Sequence, residues 1–245
     1  MRAQASVKPR FEVASVKVNT TNGPAEFLPA RSGDHVQLHN CQIASLILYA
    51  YHVSGYQMVG NPRLPEPWNW YDIDAKVDNS SSDDEVRQMF QSLLEERFKL
   101  KVHRETRELQ VYVLKIAKSG PKLKSSAASD YKTTVDDKAV VLRQGRAAIV
   151  LGEDGSHLLG KGVTVAQLAK SLEGELHGPV VDATGIPGTF DYDVVFMPDQ
   201  GVPKGEFSAP LLPAALRSDL GLTVEKGKAP VEVLIIDHLE KPSPN

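Results

Sequence analysis

Cysteine is all but missing from this chain: the 245 residues hold one, Cys41. No intrachain disulfide framework and no zinc site of several thiolates can form around it, and the compartment is left open. Nor is there a surplus of charge. Lys plus Arg number 28 and Asp plus Glu 31, for a net charge of −3, which excludes a strongly basic nucleic-acid binder and a long acidic tail. No apolar run approaches the roughly 18 residues that span a bilayer, so membrane insertion is not expected. No basic strand is rich in the aromatics that stack on RNA bases, and nucleic acid is not expected as a partner. The usual signatures of catalysis are missing as well. There is no G-x-S-x-G, no H-E-x-x-H, no Walker loop and no G-x-G-x-x-G, and Gly160-Lys161-Gly162 lacks P-loop spacing.

What is present is ordinary globular composition, 41% apolar and 24% charged. At about 150 residues per domain the length allows one or two domains. At the amino terminus Ala3-Gln4-Ala5 reads like the small-residue end of a secretory signal whose apolar part has been removed. Residues 1–10 are expected to be a disordered remnant.

From Phe11 the pattern is regular. Alternation predicts strands over Phe11–Val18, Val36–His39 and Tyr71–Val77, and helical spacing predicts a helix over Cys41–His52 capped by Asn40. Ser82-Asp83-Asp84-Glu85 is a capping box, and Val86, Met89, Phe90, Leu93 and Leu94 follow at helical spacing to about Arg97. Phe98–Val102 and Leu109–Ala117 read as two strands of a hairpin, with charged Arg104–Glu108 as the turn. The polar stretch 120–134 reads as a linker. Beyond it come strands over Val140–Leu151, a helix capped by Thr164, strands over Pro179–Asp182 and Thr189–Phe196, a loop over Asp199–Glu206 and a helix over Leu211–Leu220. Leu222–Glu225 and Val231–Asp237 read as a closing hairpin.

The second half thus repeats the first. Leu94 and Leu216, Phe98 and Leu220, Leu100 and Leu222, Val102 and Val224, and Val111 and Val233 each stand 122 residues apart. Ile43 and Val165 share that offset, and Asp72-Ile73-Asp74 matches Asp191-Tyr192-Asp193 at 119. A constant offset predicts an α+β protein of two tandem-duplicated halves, 11–119 and 135–242. Each would be a helix-plus-antiparallel-hairpin unit, packed about a pseudo-twofold axis with a groove where they meet.

Four constellations could carry chemistry. Asp72 with Asp74, and Asp191 with Asp193, lie two apart on strands and so share a face. Each pair suits a hard cation such as calcium, or is the solvated face of a strand whose Ile73 or Tyr192 points inward. Among seven histidines, His35 and His39 lie about 13 Å apart on a strand, too far for one metal; His103, beside Arg104, and His238, beside Asp237, are the ones with charged neighbours. Trp68, Trp70 and Tyr71 sit in a Pro-rich loop and either bind a ligand or plug the end of a core. Ser156-His157 follows Asp154-Gly155, but adjacent strand residues point to opposite faces, so a turn is the simpler reading.

Several ordered motifs carry a family resemblance. Ala50-Tyr51, Val59-Gly60, Pro62 and Trp68 precede Asp72-Ile73-Asp74-Ala75-Lys76, and Gln91-Ser92-Leu93-Leu94-Glu95-Glu96-Arg97-Phe98 follows. Then come His103-Arg104-Glu105-Thr106-Arg107-Glu108-Leu109, Gly188-Thr189-Phe190-Asp191-Tyr192 and Lys228-Ala229-Pro230-Val231-Glu232-Val233. From about Phe11 to Asn245 the chain resembles the family of unknown function DUF3738, a soil-associated group abundant in Acidobacteria. The resemblance implies export, with the signal peptide removed, to the periplasm or beyond. It also implies a link to signalling, since related domains can be attached to BlaR-like membrane metallopeptidases. It supplies no reaction, cofactor or catalytic residue. The small halves also resemble the amino-terminal modules of secretins and TonB, by analogy of fold alone.

The leading expectation is an extracytoplasmic ligand-binding or sensing module without catalysis of its own and without a cofactor. Its ligand would be a small molecule or a cell-envelope peptide, held in the groove rimmed by Trp68, Trp70, Tyr71, His103 and Arg104, and its protein partner a membrane signalling protein. The alternative is a small-ester or lactone hydrolase assisted by calcium on Asp72, Asp74, Asp191 and Asp193, the ion polarising a carbonyl while a His or Asp activates water. A third expectation, a purely structural piece, predicts an exposed apolar patch or free sheet edge.

Overall fold

A computed structural model describes residues 8–21, 23–60, 62–65, 67–126, 131–197 and 209–243. The Ala3-Gln4-Ala5 motif and all of the predicted 199–206 loop lie outside the described residues, as does most of the 1–10 remnant. The fold is mixed α+β. The described residues up to Arg107, together with those from Val231 onward, form one compact unit, and Glu108–Pro230 forms the other.

In the first unit β1 (Ala14–Val18), β2 (Ala30–Ser32) and β3 (His35–Gln42) are followed by α1 (Ile43–Tyr51), β4 (Met58–Val59), β5 (Trp70–Lys76) and α2 (Asp83–Arg97). The antiparallel sheet runs β1-β5-β3-β2. Strict alternation along β5 buries Tyr71, Ile73 and Ala75 and turns Trp70, Asp72 and Asp74 to the other face. Ile43, Leu46, Ile47 and Ala50 form the buried stripe of α1, and Val86, Phe90 and Leu94 that of α2. Phe90 meets Phe11 and Tyr49 edge to face, with ring centroids 4.9 and 5.7 Å apart. The capping box of α2 is present: the Ser82 hydroxyl accepts from Glu85 N, and the Glu85 carboxylate accepts from Ser82 N.

Asn40 does not cap α1. The helix starts at Ile43 after Gln42, which makes no side-chain cap. Asn40 instead adopts a left-handed conformation, φ 45°, inside a β-bulge between Leu38 and Cys41. A bulge places one extra residue in a strand, and Asn tolerates the positive φ it needs.

The chain leaves the first unit along β6 (Lys101–Ile116). The second unit adds β7 (Lys124–Ser125), β8 (Tyr131–Val135), β9 (Lys138–Leu142), β10 (Arg146–Gly152), β11 (Gly155–Val163), α3 (Val165–Leu172), β12 (Val180–Asp182), β13 (Phe190–Phe196) and α4 (Leu212–Ala215), which continues as a π-helical turn over Leu216–Leu220. Its main sheet runs β10-β11-β13-β7. The core beneath gathers Leu158, Leu168, Leu172, Val194, Phe196, Leu216 and Leu222. Strand β7 and all of β8 but its last residue, Val135, fall within the stretch read as a linker. There β8 and β9 form a hairpin whose two turn residues, Asp136 and Asp137, both have positive φ, the combination that two-residue hairpin turns require. The helix α3 carries its own capping box, Thr164 with Gln167.

The two predicted hairpins are a correction. Arg104–Glu108 is not a turn: β6 runs unbroken from Lys101 to Ile116, and β14 runs unbroken from Leu222 to His238. The charged middle of β6 lacks Gly and Pro, and charged side chains suit a strand that is exposed. Arg104 pairs with Glu232, and Glu108 with Lys228 at 3.3 Å. The sheet order is β12-β6-β14-β4. Both outer strands are short and parallel to their neighbours, Met58 opposite Leu234 and Val180 opposite Tyr112.

Candidate functional site

The three aromatics after the Pro-rich loop have three different surroundings. Tyr71 is core: it is 1% exposed, its ring meets Phe98 edge to face at 5.0 Å, and its hydroxyl donates to the Trp68 carbonyl at 2.6 Å. Trp68 packs half-buried on the same core, with the Lys241 ammonium 5.4 Å from its ring centroid. Trp70, on the sheet face opposite that core, lines an open cleft of about 540 Å3 with Asn19, Thr20, Thr21, Asn40 and Pro67.

The cleft is built from a loop, a bulge and one carboxylate behind them. Asp72 lies two residues beyond Trp70 on the same face of β5. Its Oδ1 accepts from Asn19 Nδ2 at 2.8 Å and from the Asn40 backbone N–H at 2.9 Å. Burial works against the charge, but these two bonds outweigh it and hold the Asp72 carboxyl below the usual range. The Asn19 Oδ1 in turn accepts from the Thr21 N–H and hydroxyl, and Asn40 Nδ2 donates to Gly23 O at 2.6 Å.

The aspartate pairs are thus structural in their contacts. Asp191 repeats the Asp72 arrangement: its Oδ1 accepts from the backbone N–H of Gly162, φ 60°, at a bulge in β11. Its Oδ2 takes the Lys161 ammonium at 2.6 Å, and that lysine side chain is 3% exposed. Burial opposes ionisation of Asp191, yet the donors Lys161, Ser126 and Gly162 pull its pKa down to about 2. Asp74 bonds Gln37 Nε2 and His35 Nδ1, both at 2.7 Å; these donors lower its pKa, and the same Asp74 bond raises that of His35. Asp193 lies 3.4 Å from Nδ1 of His157, whose Nε2 meets Asp154 at 2.8 Å. Burial alone would lower the His157 pKa, but the two carboxylates reverse that and raise it. Among the described residues no group of three or more His, Cys, Asp or Glu is arranged to hold a metal ion.

His103 and Arg104 are tied down elsewhere. The His103 ring meets Asp237 at 2.8 Å, while Arg104 pairs with Glu232 and donates to the Tyr51 carbonyl at 3.0 Å. None of these bonds involves Trp70. Ser156 is buried beside the β10–β11 turn, and His157 bonds across that turn to Asp154. Cys41 is buried, and burial pushes its thiol up to about 12, which removes it as a nucleophile at neutral pH.

The sequence reading singled out Trp70 and Asp72 and missed Asn19, Thr20, Thr21 and Asn40. The first three sit in a loop with no periodicity, and Asn40 had an equally good local role as a helix cap.

No curated protein and no solved structure matches the chain. The model of one family, described as a protein of unknown function (DUF3738), matches residues 44–239. That is most of the chain, and it takes in Trp70 and both aspartate pairs while leaving Asn19–Thr21 and Asn40 outside. The chain belongs to the DUF3738 family.

Proposed function

We propose that this chain is a non-catalytic, extracytoplasmic ligand-binding module whose site is the Trp70 cleft of the first unit. One observation carries the reading: a half-buried tryptophan lines an open cleft whose amide side chains are already held in place, that of Asn19 by Asp72 and that of Asn40 by the Gly23 carbonyl, with Asp72 also bonding the Asn40 backbone N–H. Preorganised polar groups around an aromatic wall are what a small-molecule site needs. Export rests on the Ala3-Gln4-Ala5 motif and the family resemblance alone.

Tandem duplication is part of the same reading. The helices α1 and α3 begin 122 residues apart. So do the two positive-φ residues, Asn40 and Gly162, each of which donates its backbone N–H to the first aspartate of a pair. The parallel pair Met58–Leu234 maps onto Val180–Tyr112 when 122 is added to the first residue and taken from the second. On this reading each short strand pairs with the long strand of the other repeat.

The hydrolase alternative needs an aspartate free to take a cation or a water. Asp72 and Asp191 already accept two or more N–H donors apiece. A thermal-shift screen of the whole chain against cell-envelope fragments tests the binding reading. A ligand at 100 times its Kd adds about 2.7 kcal/mol of stability, and Trp70→Ala, by weakening binding about tenfold or more, should cut that to about 1.4 kcal/mol or less. Ester or lactone turnover above a buffer blank, lost with EDTA and restored by calcium, would replace this reading with the hydrolase one.

A further inference from the structure

We infer that the ligand class of the Trp70 cleft is a neutral saccharide, bound with the C–H face of a pyranose ring on the indole; this rests on the binding reading above. The described residues that line the cleft are Asn, Thr, Gly, Pro and Trp, with no charged side chain among them. An anion would find no Lys or Arg among these residues. A cation would find no carboxylate among the described lining residues, and Asp72 Oδ1 is taken up by the Asn19 side-chain amide and the Asn40 backbone N–H. A peptide recognised by strand addition needs an open sheet edge. Trp70 offers none, since β5 lies between β1 and β3, with Trp70 opposite Gln42 and its carbonyl accepting from Asn19 N.

A sugar ring fits what remains. Its hydroxyls both donate and accept, as Asn amides and Thr hydroxyls do. Its C–H face is apolar and flat, the complement of an aromatic face. The internal bonds of the cleft orient Asn19 and Asn40 but leave the Thr20 hydroxyl, the Asn40 Oδ1 and the indole N–H of Trp70 unspent. The volume, about 540 Å3, lies within the range of small-ligand sites. In the second unit the cleft beside the matching aspartates, about 330 Å3, is charged instead, lined by Lys122, Lys124, Asp191, Asp193 and Asp219. There Lys161 fills the space beside Asp191, and Thr189 stands 119 residues after Trp70.

The test is calorimetric and fluorimetric titration of the whole chain with neutral oligosaccharides of N-acetylglucosamine, glucose and mannose. Inorganic phosphate and a capped dipeptide form the control arms. Both tryptophans lie in the first unit, so emission reports on this site directly. Saccharide binding is expected, weakened about tenfold or more by Trp70→Ala and less by Trp70→Phe, which keeps a stacking face. Thr20→Val, at an exposed position, should weaken it without changing the melt. Saccharide binding unaffected by all three variants would overturn the site. Binding of phosphate or peptide alone, dependent on Trp70, would overturn the saccharide class and leave the binding reading standing. No binding in any arm would remove both.

Discussion

Asp72 and Asp191 do one job with different neighbours: each accepts the backbone N–H of a buried left-handed residue in a bulge. Asp191 also holds a buried ammonium. Removing one partner of a buried pair costs about 3–5 kcal/mol because the other charge is stranded. Asp191→Ala should therefore lower stability by about that much in urea unfolding, while Asp72→Ala, which strands only N–H donors, should cost about 1–3 kcal/mol. The pH sign follows. The Asp191 pKa is depressed to about 2 in the folded state, so its contribution is present above the usual carboxylate value and is lost as pH falls through that value towards 2. Urea midpoints of Asp191→Asn should fall less between pH 5 and pH 2 than those of the parent, both values being set by about that window. For His157 the sign is opposite. Its pKa is raised, so its stabilisation is present below about 6.5 and fades as pH rises through the folded value. His157→Gln should flatten that alkaline decline in Tm.

At the scale of elements, the helices obey local rules and the long strands do not. Capping boxes stand where spacing put them, Ser82 with Glu85 and Thr164 with Gln167. Ser82→Ala should cost about 1 kcal/mol. The positions just after α2 and α4 are also core, with Phe98, Leu100, Leu220 and Leu222 at most 4% exposed. Leu100→Ala and Leu222→Ala should each cost about 2–5 kcal/mol in chemical denaturation; a loss under 1 kcal/mol in both would mean that these leucines do not hold the cores. The strands β6 and β14 defeated a local reading because a run such as Arg-Glu-Thr-Arg-Glu suits a turn and an exposed strand equally well. Pairing with Glu232 and Lys228, more than 100 residues away in the chain, decided between them.

Across the whole molecule, the chain order of the units matters. The first unit is discontinuous and takes its last strand segment from Val231 onward, including Leu234 at 1% exposure. The second unit, Glu108–Pro230, is continuous and has its own core. A chain ending at Pro230 should therefore lose the first unit and keep the second. Tryptophan emission would shift to the red and lose its cooperative transition, while far-ultraviolet dichroism would retain a melting component. An unchanged tryptophan transition would show that the carboxy-terminal segment is not part of that core. No helix among the described residues is long and apolar enough to cross a membrane.

Periodicity and capping, which act within a few residues, were enough to place α1, α2, α3 and β5 and to mark Asp72 and Asp74 as residues on one strand face, while Trp70 read as part of the loop before it. They could not reach the bulge at Asn40, whose partner Asp72 lies 32 residues on, or the amide of Asn19, 53 residues from the same carboxylate. A loop residue has no period to betray it, and a left-handed Asn looks in sequence like a helix cap. Those bonds form only when β1 and β3 both pair with β5, and that pairing assembles the cleft. The tertiary structure also decided that Asp72 and Asp191 brace backbone and that two apparent hairpins are single strands, because in each case the deciding partner is distant in the chain and near in space.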